Sequence, residues 1–243
     1  MKTNNLRLER ITDFDNQFTK IPNIKFYPFV GENFQINDKR IMIFAHNIPV
    51  KKADYDKHLL EKSNPTHFTK ELRQYVNNKE NWTKSFRNFL KGSLGYKSDF
   101  QVPLNYDVDG RIEKFINSFA HINYINGLVL SESQNNAKID AKLLENSIKI
   151  NNQILDILNI THVVCWGKNV FNYIIQQKEV QILESWDNFD RIEGLKKSKG
   201  YGYAKIILNG EEIHILKTFH PSMPSFRQYY DNTHKIFDWF YNL

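Results

Sequence analysis

Cysteine is almost absent from this chain. Of 243 residues one is cysteine, Cys165. A single thiol excludes an intrachain disulfide, a four-cysteine zinc site and a four-cysteine iron–sulfur cluster. It sits inside an apolar run, where a thiol behaves as a small buried hydrophobe rather than a nucleophile. Long apolar runs are missing too. None approaches the ~18 residues that span a bilayer, so no membrane partner is expected. Residues 1–20 are polar and mixed in charge. They lack the apolar stretch of a signal peptide, which points to an intracellular, cytoplasmic protein. No internal repeat, low-complexity segment or linker interrupts the chain, and one core can serve ~250 residues, so a single domain over residues 1–243 is expected.

What the chain does have is aromatic and basic. Hydrophobic residues make up 41% and aromatics 14%, enough to bury a large core. The net charge is +6, from 33 basic and 27 acidic residues. That excess suits a polyanionic partner, although the abundance of Asn, Lys and Ile is also the imprint of an AT-rich genome.

Residues 1–38 show no clear periodicity and read as an irregular lead-in, with Phe26, Tyr27 and Phe29 packing on the body. Arg40 to Ala45 has the length and apolar content of a strand and stops at His46-Asn47-Ile48-Pro49, a loop signal. Phe68, Leu72 and Val76, then Trp82, Phe86, Phe89 and Leu90, recur at helical spacing. Residues 92–111 are turn-rich, with Gly92, Gly95, Pro103 and Gly110. Ile116 to Ile125 reads as a second strand ending near Asn126-Gly127. Lys138 to Leu158 is an amphipathic helix with Ile139, Leu143, Leu144, Ile148, Ile154, Leu155 and Leu158 on its apolar side. His162 to Trp166 is continuously apolar, as suits the buried middle of a parallel sheet. Gly167 ends it, and a helix begins over Asn169 to Ile175. Tyr203 to Leu208 and Glu212 to Phe219 flank Asn209-Gly210, a strong hairpin signal. Asp231 to Tyr241 closes the chain as a helix with Ile236, Phe237 and Phe240 inward. Strands alternating with helices predict an α/β fold with a mostly parallel, helix-covered sheet.

Three of these strand ends carry unusual polar groups. The first ends in His46 and Asn47. The second holds His121 and Asn123 inside an apolar run. The last ends in His220-Pro221-Ser222, where Pro221 fixes its own φ and restricts His220 to an extended conformation. The carboxyl ends of parallel strands lie along one edge and can face a shared crevice.

Taken in order, these motifs resemble the uracil-DNA glycosylase superfamily. Its first motif follows the first core strand, commonly as Gly-x-Asn-Pro-Gly or Gly-Gln-Asp-Pro-Tyr; the corresponding text here is Ala45-His46-Asn47-Ile48-Pro49. Its base-reading Asn sits on the next core strand and is matched by Asn123. A Trp-Gly ends a later apolar strand, as Trp166-Gly167 does here. Its last motif is His-Pro-Ser and a short wedge, which His220-Pro221-Ser222-Met223-Pro224-Ser225 resembles closely. The likeness spans about residues 40–226 and is nearest to a divergent, glycosylase-like branch.

The resemblance implies a three-layer α/β/α sandwich and a DNA base-excision glycosylase that needs no cofactor. Such an enzyme extrudes its base from the duplex and binds it in a close pocket. Asn47 would position the attacking water and His46 would add an imidazole beside it. Asn123 would pair with the base edge through its amide donor and acceptor. Neutral His220 would donate to the departing base, and Ser222 would hold a phosphate. Met223 and Pro224 would wedge into the gap left by the flipped base. Tyr55 and Phe44 are candidates to stack on that base. Lys197 and Lys199, among Lys196, Tyr201 and Tyr203, and Arg227, beside Tyr229 and Tyr230, are expected to contact DNA. Ala45 replaces the family's Gly and Ile48 its frequent Pro, which points away from ordinary uracil and toward a modified base. An inactive binding module of the same fold is the alternative. A metal-dependent hydrolase built on His46, His121 and His220 would have only Asp54 and Asp56 nearby as carboxylates, so no metal is expected. No lysine is marked out for lyase chemistry.

Overall fold

The computed structural model describes residues 14–46, 48–51, 84–95, 110–131, 139–189, 200–223, 226 and 230–243. In chain order the elements are β1 (Phe29–Val30), β2 (Ile41–Ala45), β3 (Ile48–Lys51), α1 (Lys84–Ser93), α2 (Arg111–Ile116), β4 (Phe119–Asn123), β5 (Leu128–Ser131) and α3 (Ala141–Leu158). They continue with β6 (His162–Trp166), α4 (Lys168–Ile175), β7 (Gln181–Asp187), β8 (Gly202–Leu208), β9 (Glu211–Thr218) and α5 (Tyr230–Tyr241).

Local chemistry sets several boundaries. Asp140 caps α3, its carboxylate accepting from the N–H groups of Lys142 at 2.8 Å and Leu143 at 3.1 Å. Asn159 ends that helix in the left-handed region, at φ 48°. Asn209 and Gly210 both have positive φ, 54° and 88°, as a two-residue hairpin turn between β8 and β9 requires.

The main sheet has seven strands in the order β1-β4-β2-β6-β9-β8-β7. Its central pairings, β4 with β2, β2 with β6 and β6 with β9, are parallel. The pairings toward the edges, β1 with β4, β9 with β8 and β8 with β7, are antiparallel. The sheet is therefore mixed, with a parallel centre. The four parallel strands follow in space as second, first, third, fourth in the chain. The order reverses between β2 and β6, and at such a switch point an open α/β sheet leaves a crevice beyond its carboxyl ends. A second, two-stranded parallel sheet joins β3 to β5.

Each face of the main sheet carries its own core, so helices and sheet form three layers. On one face Met42, Phe44, Ala120, Ile122, Val163 and Cys165 pack with residues of α3 and α4 and with Phe14, Phe18 and Phe26 of the lead-in. On the other, Ile41, Ile43, Phe119, Val164 and Trp166 pack with Phe89 and Leu90 of α1, Ile112 and Ile116 of α2, and Ile236, Phe237 and Phe240 of α5. The lead-in is fastened by Asn126. Its Oδ1 accepts from the backbone N–H of Lys25 at 2.7 Å and Phe26 at 3.2 Å, and its Nδ2 donates to the Phe26 carbonyl at 2.8 Å.

Some expectations need correction. Ile116 closes a helix rather than opening a strand, and β4 runs only from Phe119 to Asn123. Ile48 and Pro49, read as part of a loop, open β3. The lead-in is not wholly irregular, because Phe29–Val30 adds an antiparallel edge strand to β4. Phe68, Leu72, Val76 and Trp82 lie outside the described residues.

Candidate functional site

The parallel strands end together. Ala45 pairs with Asn123, Phe44 with Cys165 and Trp166 with Thr218, so Asn123, Ala45, Trp166 and Thr218 form the last rung at the carboxyl edge. Past that rung the sheet divides. The Tyr124 N–H donates to the Ala45 carbonyl at 2.7 Å and the Ile125 N–H to His46 at 3.0 Å, which keeps the β4 and β2 chains joined. The Gly167 N–H donates to the Thr218 carbonyl at 3.0 Å, which keeps β6 and β9 joined. β2 and β6 have no pair beyond Phe44 and Cys165. The strand order places its switch point there, between His46 and Gly167. Gly167 turns the chain from β6 into α4 at φ 104° and ψ 160°, a conformation open essentially to glycine alone.

His220 is half-buried at the same edge. Its ring meets Trp166 edge-on, with centroids 6.0 Å apart. Its Nδ1 accepts the Ser222 backbone N–H at 3.3 Å and lies 2.7 Å from Ser222 Oγ. A nitrogen that accepts an N–H carries no proton, so the neutral ring is the Nε2–H tautomer and the hydroxyl is the donor to Nδ1. Burial first, then the charge that His46 can carry, holds the His220 pKa below its ordinary 6.5. At neutral pH His220 is thus an uncharged imidazole with one N–H to offer.

Asn123 is nine-tenths buried, at 9% exposure. Among the described residues its amide has no hydrogen-bond partner, and a buried amide in that state has both donor and acceptor capacity to give a ligand. Strand alternation puts it on the same face as His121, whose ring packs 5.3 Å from Trp166. His121 is fully committed to the core. Its Nδ1 donates to the Ile43 carbonyl at 3.1 Å, and burial pushes its pKa down to about 3.

His46 leans to the opposite face. Its ring lies near-parallel to Tyr173 of α4, at 6.0 Å and 21°, and Tyr173 lies near-parallel to Tyr124, at 5.8 Å and 23°. Tyr124 is fixed in turn. Gln177 Nε2 donates to its hydroxyl at 3.2 Å, Asn152 Nδ2 donates to Gln177 Oε1 at 2.9 Å, and Asn151 Nδ2 donates to the Tyr124 carbonyl at 2.7 Å.

The described residues that directly follow the four parallel strands (46, 48–51, 124–131, 167–169 and 219–223) include no Asp or Glu. Asp187 ends β7 on the same side of the sheet, but it is ion-paired with Lys217. Lys217 is buried on β9, lies 5.4 Å from the centroid of the Phe171 ring, and fits because Gly202 has no side chain.

The structure thus brings His46, Asn123 and His220 to one edge, with Ser222 beside His220 and Met223 51% exposed at the tip of the turn. Asn47, Tyr55, Pro224, Arg227, Lys197 and Lys199 lie outside the described residues. Phe44 is a correction. It is completely buried, packs edge-on against Tyr124 at 5.1 Å, and sits on the face away from Asn123, so it has no surface for a base. Tyr201 and Tyr203 are also corrected. Both are buried, the first hydrogen-bonded to Thr233 and the second to His214, so neither ring is exposed for a base to stack on. Sequence reasoning passed over Tyr173 and the part of Trp166 in the pocket wall. The Trp-Gly at a strand end was the available signal for the second; nothing in the helix pattern marks the first.

Among the described residues, no group of three or more His, Cys, Asp or Glu side chains is placed to hold a metal ion. No described helix is long and apolar enough to cross a membrane. No protein-family model matches the chain, and no curated protein matches it. Fold and geometry define the class on their own: an α/β protein with polar side chains gathered at the switch point of its parallel strands.

Proposed function

We propose that this chain is a DNA base-excision glycosylase that hydrolyses the N-glycosidic bond of a flipped uracil or modified base, on a sandwich of the uracil-DNA glycosylase kind. The observation that carries the reading is His220. Its Nδ1 is occupied by Ser222, which leaves a neutral Nε2–H donor at the same sheet edge as the partnerless amide of Asn123. In the reaction the C1′–N bond breaks with its electron pair leaving on the base. Water adds its oxygen to C1′, and the proton it loses ends on the departed base. The sugar gains positive character as the base gains negative charge. A fixed N–H donor at the base oxygen stabilises that charge without reorganising. Asn123 reads the base edge, and among the described residues none that directly follows the parallel strands is acidic, which favours an anionic leaving group. Asn47 orients the water, and His46 takes the proton it loses and passes it on toward the departed base.

The reading is tested by incubating the purified protein with single- and double-stranded DNAs carrying uracil, 5-substituted uracils, hypoxanthine and oxidised bases, then measuring abasic sites. Release from at least one of them, suppressed by His220→Ala, is expected. A second reading, a non-hydrolytic binder of DNA or nucleotides, is favoured by the absence of Asp or Glu from the first motif, Ala45-His46-Asn47-Ile48-Pro49. Tight binding with no abasic product from any substrate would establish it in place of the first.

A further inference from the structure

Helix α1 holds the turn that carries His220 from outside. Within the turn, the Met223 N–H donates to the His220 carbonyl at 2.9 Å and Ser222 engages His220 Nδ1. These bonds shape the turn but do not place it. Asn88, 8% exposed on α1, donates from Nδ2 to the Pro221 carbonyl at 2.7 Å, across 133 positions of sequence. On the other side of Met223, Phe226 is completely buried and its N–H donates to the Met223 carbonyl at 3.1 Å. The Phe226 ring lies so close to Gly92 of α1 that an added Cβ would stand 2.9 Å from it and 3.0 Å from Thr233. The same helix sets the other wall: Phe89, next to Asn88, packs 5.2 Å from Trp166, which meets His220 edge-on. Phe89 is backed in turn by Phe237 of α5 at 5.4 Å.

We infer that Asn88 is a positioning residue: through the Pro221 carbonyl it fixes the His220 turn against α1 and so holds the imidazole donor in register with Trp166. The inference rests on the glycosylase reading for its functional consequence, but its structural content does not. Pro221 has no N–H of its own to anchor the turn. A buried carbonyl that loses its donor is driven to find water, and the turn moves with it.

The test is an NMR titration of the His220 ring nitrogens in the full chain, compared with Asn88→Leu, which keeps similar volume but has no donor, and with Asn88→Ser, which keeps a shorter donor should the leucine variant not fold. Thermal melts establish that each variant is folded. In a folded Asn88→Leu protein the His220 midpoint is expected to rise toward 6.5, with the Nε2–H tautomer no longer exclusive. On a DNA from which the wild type releases a base, kcat is expected to fall about tenfold or more with KM nearly unchanged. The serine variant should lie between the two. A folded variant whose His220 midpoint and tautomer equal those of wild type overturns the inference. A shifted His220 in a protein that releases no base from any substrate would leave the role of Asn88 standing and remove the glycosylase reading.

Discussion

The proton on His220 Nε2 is the smallest feature on which the proposed chemistry depends. The Ser222 N–H at 3.3 Å directs it there, and losing the donor should cost about 10²- to 10³-fold in kcat, the usual effect of removing one such group. Single-turnover kinetics of His220→Ala would measure this. Charge adds a second prediction. Burial and His46 hold the His220 pKa below 6.5, so the ring is neutral at neutral pH, and protonation of His220 as pH drops through the lowered value should lower base release. His46→Ala removes a like-charge neighbour, which raises the His220 pKa and moves the acid limb to higher pH. A pH–rate profile in which the limb stays put or moves the other way would rule out this coupling. Of the residues expected at the site, Phe44 could not be judged from its neighbours. An apolar run with both faces buried gives no sign of which face meets the site, and only the packing of Phe44 on Tyr124 resolves it.

Elements were legible where one force dominates. His162–Trp166 is buried across its whole length, and its five residues were readable from apolar character alone. Asn209-Gly210 demanded a hairpin through its positive φ values. β7 was invisible because nearly every residue in it is exposed, so Gln181–Asp187 carries no alternation to read. β1, two residues long, and β3, spanning a proline, are too short or too interrupted for a periodic signal. Asn88 was hidden for a different reason: its partner lies 133 positions away, beyond any local pattern. At this scale Gly167 is the position to test. Its φ of 104° and ψ of 160° are strained for any side chain, so Gly167→Ala should lower stability by about 1–3 kcal/mol. Urea melts would check this, and an unchanged midpoint would mean the β6–α4 junction can relax.

Across the whole molecule the two edges of the sheet do different work. The carboxyl edge holds the polar side chains of the candidate site. The amino edge holds His162 and His214, paired across β6 and β9 with rings stacked at 5.0 Å and 15°. His162 also meets Phe240 of α5 edge-on at 5.1 Å. Burial first, then His214 and Lys39, pushes the His162 pKa down to about 4. Burial and then Lys205 lower that of His214, although Glu212 and Glu184 oppose the change. Both values are depressed relative to an unfolded histidine, so the unfolded chain binds the extra protons. The stability of the neutral pair is complete above about pH 6.5. The share of His162 is lost as pH falls from there toward 4, by up to about 1.4 kcal/mol per pH unit, and that of His214 as pH falls through its own lowered value. Denaturant melts at pH 7, 6, 5 and 4 should show that slope, and His162→Phe should flatten it. Under the proposed function, with a net charge of +6, binding to DNA should weaken about tenfold or more between 50 and 200 mM salt. Base release remains the most direct test of this edge as a nucleobase pocket: abasic-site formation across uracil and modified-base DNAs, by wild type and His220→Ala side by side. The account predicts release from at least one substrate by the wild type and its near loss in the variant. No release from any substrate, or release that survives His220→Ala undiminished, would contradict it.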